Sequence, residues 1–307
     1  TAAYGEKRRL NWVVGAGLFG AIVLANFTGY LLPWDQLAYW AVTVCAAALA
    51  YLPWVGKGLQ ALVIGGQELS PTTLANFYAL HTAVLPLVLL LLLPFHFWRI
   101  RKAGGLAAVG GDRIEALPHL LVRETAMALT VIAVVILMAA LWDAPLGAEA
   151  NPGLSPNPTK APWYFAGLQE LLLHLHPVVA VAVIPLVAVA GVLAVPFLPV
   201  RLDTPGRWFG TRRGGRMVAC AALAAIVATP LWIVADAHGL SSLSWLAPVL
   251  SILLVAGMAI FRVRRARASA HEAVQAVFAY FMTVFLVLTL TGVWFRGTSM
   301  ALVWPWQ

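Results

Sequence analysis

Runs of eighteen or more apolar residues recur along the whole chain, and each is long enough to cross a bilayer as a helix. They fall at about 11–32, 77–98, 124–142, 174–198, 216–234, 244–262 and 272–294. With 62% hydrophobic and only 10% charged residues among 307, the expectation is an all-α polytopic membrane bundle. It has about seven transmembrane helices plus short interfacial helices.

The net charge of +8 suits a nucleic-acid partner only until it is divided by side. With the N-terminus placed inside, one side receives Lys7, Arg8, Arg9, Arg99, Arg101, Lys102, Arg113, Arg123, Arg201, Arg207, Arg212, Arg213, Arg216, Arg262, Arg264, Arg265 and Arg267. The other side receives Lys57, Lys160 and Arg296. This is the positive-inside asymmetry, so the basic balance reports topology and no nucleic acid is expected. The orientation expected from it has a cytoplasmic N-terminus, and the expected location is a bacterial cytoplasmic (inner) membrane.

The same count keeps residues 33–73 out of the membrane core. A span there would invert the sides, and Pro33, Pro53, Gly56 and Gly65–Gly66 break it into two short interfacial helices. Residues 143–162 form a long proline-rich outer loop, a kind more often functional than idle. The last three spans look like ordinary lipid-facing helices.

The second run, Asn76 to Lys102, carries His81 and His96. Fifteen residues of α-helix separate them by roughly 22 Å along the axis and about 60° around it, so both imidazoles face one side at two depths. Ionisable groups at such depth are costly and face a bundle interior, and neutral imidazole is a common axial ligand for haem iron. The first run carries Gly15 and Gly29, nearly the same interval apart, which suits two flat macrocycles stacked along the bundle. Gly17 and Gly20 read as small-residue helix packing. His119, His174, His176, His238 and His271 read as interfacial or loop histidines. Cys45 and Cys220 form no C-x-x-C, so no attached c-type haem and no iron–sulfur site is built from this chain.

Taken together, GYLLPWDQLAYW at 29–40, VGKGL…IGG at 55–66, NFYALH…PFHFWRIRKAGG at 76–105 and NPTKAPWYF at 157–165 resemble cytochrome b of the quinol–cytochrome c reductases, the bc-type complexes. The likeness runs over roughly residues 4 to 200, the third to sixth helices of that fold. The histidine interval and IRKAGG resemble the chloroplast and Gram-positive branch, and APWYFAGLQELL is similar to menaquinol-type members. Residues 1–105 would be the haem-binding half of the bundle. Residues 106–200 would be a region like subunit IV bearing the outer quinol loop, and 201–307 would be additional C-terminal helices.

The resemblance implies two haem b groups, with His81 as iron ligand of the outer one and His96 of the inner one. Gly29 and Gly15 would be the glycines against which the macrocycles pack. Arg101 and Lys102 would lie near the inner haem's propionates or the inner quinone site. A pocket for quinone or menaquinone would lie between Asp35, Tyr39, Trp40 and the loop Pro162–Trp163–Tyr164. Quinol oxidation there would send one electron to a Rieske iron–sulfur protein and on to a c-type cytochrome. The other would cross the membrane through the haems, with net proton release outside.

Two departures stand out. The family helices that supply the other two histidines would precede Tyr4, so each haem needs a histidine from a partner polypeptide or an upstream segment. The glutamate of the family's Pro-Glu-Trp-Tyr motif is replaced, the sequence here being Ala161-Pro162-Trp163-Tyr164. Glu170, Asp35 or Tyr164 could take the quinol proton, and an apolar pocket would raise a carboxyl pKa toward that use. The complex is expected to be homodimeric and bedded in membrane lipid. The alternatives are a haem-bearing quinone-reactive anchor without bifurcation, and a transporter using His81 and His96 as a proton relay. The second is disfavoured by the lack of an internal repeat.

Overall fold

Proline sets the shape of the histidine helix. Pro86 has no N–H to offer the carbonyl of Thr82, and its ring crowds that carbonyl. Beside it the helix forms a π turn over Leu80–Val84, in which the N–H of Leu85 donates to the carbonyl of Leu80, five residues back. Pro185 coincides with the same device at Val179–Val183, where Ile184 donates to Val179. The structure is a computed structural model that describes residues 6–105, 115–197, 211–240, 246–265 and 270–306. Arg113, Arg201, Arg207 and Arg267, counted above by side, lie outside the described residues.

In chain order the helices are α1 (Arg9–Leu31), α2 (Gln36–Leu49), α3 (Gly56–Ile64), α4 (Pro71–Ala79), α5 (Leu85–Lys102), α6 (Leu121–Leu141) and α7 (Trp163–His174). They continue with α8 (Ile184–Ala194), α9 (Arg212–Ala237), α10 (Leu246–Arg265) and α11 (Ala270–Trp294). Among the described residues six helical stretches are long and apolar enough to span, the longest being the continuous Pro71–Lys102. The seventh expected span appears as the shorter apolar helix Leu246–Phe261. Helices α2 and α3 fill the region 33–73, as its breakers required.

Helix α1 runs lengthwise along α5. At one end, called here the loop end, Leu31, Val42 and Phe77 close a small apolar core between α1, α2 and α4. The opposite, basic end carries Arg8, Arg9 and Arg99. Helix α6 buries none of its residues.

A second body of packing involves the last helices, which are not simply lipid-facing. Met217, Ala221 and Ala225 of α9 meet Val255 of α10 and Ala276 and Tyr280 of α11. Alanines one turn apart let these helices approach closely. Leu171 of α7 joins Trp232 and Ile233 of α9 and Leu288 of α11 in another core. Helix α7 therefore rests on α9 and α11, two of the three helices that read as ordinary lipid-facing spans.

Candidate functional site

Both histidines of the long helix face α1, each opposite a glycine. A Cβ added at Gly29 would lie 2.6 Å from Cε1 of His81, and one at Gly15 would lie 3.2 Å from Cε1 of His96. The glycines are fourteen residues apart and the histidines fifteen, and the π turn reconciles the two intervals. It absorbs about one residue of winding, so His96 stands about 40° round from His81 on the other hand, as Gly29 does from Gly15. Gly17 and Gly20 have nothing within 4 Å, so the helix packing expected of them is absent among the described residues.

The His81 ring is oriented by its neighbours. Its Nδ1 lies 3.0 Å from the carbonyl oxygen of Ala25 and 3.3 Å from Oγ1 of Thr28. A proton held on Nδ1 by that carbonyl leaves the Nε2 lone pair available, the arrangement a metal-ligating imidazole uses. At the basic end, His96 Nδ1 is buried without a partner among the described residues, as are Asn11 Oδ1, Arg9 Nε and Arg99 Nε. Asn11 is one turn from Gly15, and Arg99 is one turn from His96. Buried polar atoms left unpaired cost free energy, and this gathering fits a bound group that is polar at its edge and apolar across its face. The residues present thus fit haem at both levels. Arg101 and Lys102 are exposed, and Lys102 lies over the Trp98 ring at 4.9 Å. The half-buried cations at this end are Arg9 and Arg99, each with its Nε buried, and the i, i+3 spacing of His96 and Arg99 was the signal for the latter.

The loop end is built around Asp35, which caps α2. Its Oδ1 accepts from the N–H of Ala38 at 2.8 Å and its Oδ2 from the N–H of Gly147 at 3.0 Å. Gln36 Oε1 accepts from the N–H of Asn151 at 2.6 Å, and Trp40 Nε1 donates to the Asn151 carbonyl at 3.3 Å. These three side chains lash the outer loop to α2. Tyr39 is buried edge-on to Trp34 and Trp40.

Between α2 and α7 lies an apolar groove of about 380 Å³, counting its open side, lined by Ala41, Val44, Cys45, Thr159, Ala161, Phe165, Leu168, Gln169 and Leu172. It lies between the two segments expected to enclose a pocket, but its walls come from neighbours of the residues singled out. Asp35, Tyr39, Trp40, Pro162, Trp163 and Tyr164 do not line it. Trp163 is exposed. Tyr164 sets its hydroxyl 3.4 Å from the Asn26 carbonyl, and burial pushes its pKa above the usual phenol value. Burial likewise pushes the Cys45 thiol up to about 11.

Glu170 departs from expectation. It is fully buried on the far face of α7, where Arg296 Nε donates to its Oε2 at 3.0 Å and Arg296 Nη2 pairs with its Oε1. Its Oε1 also lies 3.1 Å from Nε2 of His174, whose Nδ1 is 2.6 Å from Oδ2 of Asp236. Burial alone pushes the Glu170 carboxyl up, but the hydrogen bonds from His174 and Arg296 and the Arg296 charge outweigh it and hold the carboxyl below its usual range. The raised pKa expected of it is therefore reversed. His174 is no loose interfacial histidine, since its side chain is 3% exposed. Burial would lower its pKa, but the hydrogen bonds and charges of Glu170 and Asp236 raise it above the usual value. The cation Arg296 lies 126 residues from Glu170, beyond the reach of any local spacing rule.

Comparison with known proteins places these features in a family. Residues 1–156 match the family model described as Cytochrome b(N-terminal)/b6/petB. Cytochrome b6 of Synechocystis sp. is 44% identical over 104 residues, 34% of this chain and 47% of that protein. Cytochrome b6 of Prochlorococcus marinus is 42% identical over 104 residues, 34% of this chain and 48% of that protein. The matched stretch thus spans about half the length of these curated relatives. A solved structure titled "Hyperthermophilic respiratory Complex III" shares the fold at a TM-score of 0.58 and 20% identity, covering 94% of this chain and 70% of that one.

Proposed function

Because the chain belongs to the cytochrome b N-terminal/b6 family, we propose that it is the di-haem cytochrome b subunit of a quinol-oxidising, proton-translocating respiratory complex. The observation that carries this is the matched pair of contacts, His81 with Gly29 and His96 with Gly15, at two levels of one helix pair. Haem b, when bound at these levels, supplies one-electron redox chemistry across the membrane.

The chain's own residues hold and aim that chemistry. With its Nδ1 proton kept by the Ala25 carbonyl, His81 would offer Nε2 to the haem iron, and His96 would do the same at the basic end. The second ligand of each pair comes from a histidine on the upstream segment or partner polypeptide bearing the first two family helices. Arg9 and Arg99 would hold the haem's carboxylates at the basic end. Arg101 and Lys102 face anionic lipid headgroups.

The groove between α2 and α7 receives the quinol, its apolar walls excluding water from the ring and tail. Of the three proton-transfer candidates, Asp35 has both oxygens committed to backbone N–H groups, and Glu170 is committed to Arg296. The Tyr164 hydroxyl is held only at 3.4 Å but stands outside the groove lining, so none of the three is assigned the quinol proton. The outer acceptor is a Rieske iron–sulfur protein feeding a c-type cytochrome, within a homodimeric complex whose basic side is cytoplasmic.

A reduced-minus-oxidised visible spectrum, with haem counted per copy of the chain, tests this. Two b haems per copy are expected, and His81→Ala and His96→Ala should each remove one. Intact, haem-replete membranes without b-type bands would overturn the proposal.

A further inference from the structure

Helix α7 has two working faces. Phe165, Leu168, Gln169 and Leu172 line the groove, while Gly167, Glu170 and His174 turn away from it toward α11, α9 and the segment that follows α11. The contact on that far side is backbone-close. A Cβ on Gly167 would lie 2.6 Å from Oγ1 of Thr289, and one on Gly292 would lie 2.9 Å from the carbonyl oxygen of Ala166.

Two further attachments to the groove's supports come from beyond α11, and a third from its last turn. Buried Arg296 clamps Glu170 and donates through Nη1 to the Met300 carbonyl at 2.9 Å, which closes the 296–300 turn. From that turn the N–H of Ser299 donates to Oδ1 of Asn157. Lys160 Nζ donates to the Val293 carbonyl at 3.0 Å. The loop and α7 are joined to each other by Gln169, whose Nε2 donates to the Thr159 carbonyl at 2.6 Å and whose Oε1 accepts from the N–H of Ala161 at 2.7 Å.

We propose that Arg296 is a positioning residue for the outer groove: by holding Glu170 on the far face of α7 and shaping the turn that secures Asn157, it sets the spacing between α7 and α2. The C-terminal segment is thus part of the quinol site without touching quinol. The functional half of this inference rests on reading the groove as that site; the geometric half does not. A guanidinium meets a carboxylate in a planar fork that an ammonium cannot reproduce, so lysine restores the charge but only part of the geometry.

The test uses the assembled membrane complex in a Cys220→Ser background, which leaves Cys45 in the groove wall as the only thiol of this chain. Arg296→Gln, Arg296→Lys and Asn157→Ala are compared for two quantities. One is alkylation of Cys45 by N-ethylmaleimide without quinol; the other is KM and kcat for a short-chain menaquinol with an artificial acceptor. Alkylation should rise on the order of fivefold in Arg296→Gln, less in Arg296→Lys. KM should rise in step while kcat and the b-haem spectrum change little. Unchanged Cys45 reactivity and KM in a haem-replete Arg296→Gln complex would sink the proposal. If that variant does not assemble, Asn157→Ala decides, and an unchanged alkylation rate there overturns it equally. Faster alkylation in a complex that, even unmutated, shows no quinol turnover supports the positioning role and removes only the quinol reading of the groove.

Discussion

Gly29 and His81 meet so closely that a Cβ on the glycine would stand 2.6 Å from Cε1 of the imidazole. Under that separation the ring must move, and moving it breaks the 3.0 Å contact between Nδ1 and the Ala25 carbonyl. Gly29→Ala should therefore cost about 0.5–1.5 kcal/mol in the lost hydrogen bond and loosen the outer haem. Gly15→Ala, at 3.2 Å from His96, should be milder. Haem retention per chain on stepwise detergent washing measures both, and equal losses would contradict the ordering.

The π turn makes a prediction about deletions. Removing Ala83 lets Leu80–Val84 revert to ordinary α-helix, keeping the histidines in register with Gly15 and Gly29. Removing Leu90, outside the turn, swings His81 about 100° from His96. The Ala83 deletion should retain both b haems in larger yield than the Leu90 deletion, read by pyridine haemochrome spectra.

The Glu170–Arg296 pair is buried on both sides, so removing one partner strands a charge. Arg296→Met should destabilise the chain by about 3–5 kcal/mol. The double variant Glu170→Gln with Arg296→Met should lose clearly less than the sum of the singles. Thermal unfolding of the purified complex provides the cycle.

The pH dependence of that cluster has two opposing edges. The Glu170 carboxyl is held below its ordinary 4.5, so its contribution is whole above 4.5 and disappears as pH falls through the lowered value. The His174 imidazole is raised above its ordinary 6.5, so its contribution is whole below 6.5 and is lost as pH rises through the raised value. The Tm difference between the parent and His174→Phe should be largest between about pH 4.5 and 6.5 and shrink on the alkaline side. A difference that grows toward pH 9 would refute the sign.

Asp35 separates a structural from a chemical carboxylate. As a cap whose two oxygens both accept from backbone N–H groups, it keeps only one acceptor in Asp35→Asn, which should cost part of the about 1 kcal/mol that Asp35→Ala costs. Quinol turnover that survives Asp35→Asn supports capping. Turnover abolished there, with Tm unchanged, would return the proton to Asp35.

The bundle, its spans and the pairing of His81 and His96 with two glycines were open to reading in the chain. Each rests on a local rule: hydropathy length, charge by side, and helical periodicity. The rules stopped where contacts became non-local. Gly15 and Gly29 read as cradles for macrocycles, and it took the packed helices to show the imidazoles themselves against them. The one-residue mismatch between the two intervals needed the π turn beside Pro86, a local underwinding that no residue in the chain announces. Glu170 read as a candidate base because an apolar neighbourhood raises a carboxyl pKa. Its true partner sits 126 residues away, so only the fold could reverse the sign. For this protein the sequence determined which segments are long and apolar enough to cross a membrane and which imidazoles share a face, because those follow from local length and from periods of a few residues. The tertiary structure alone decided which charges are buried together and what holds the outer groove, because in a bundle those depend on which distant helices touch.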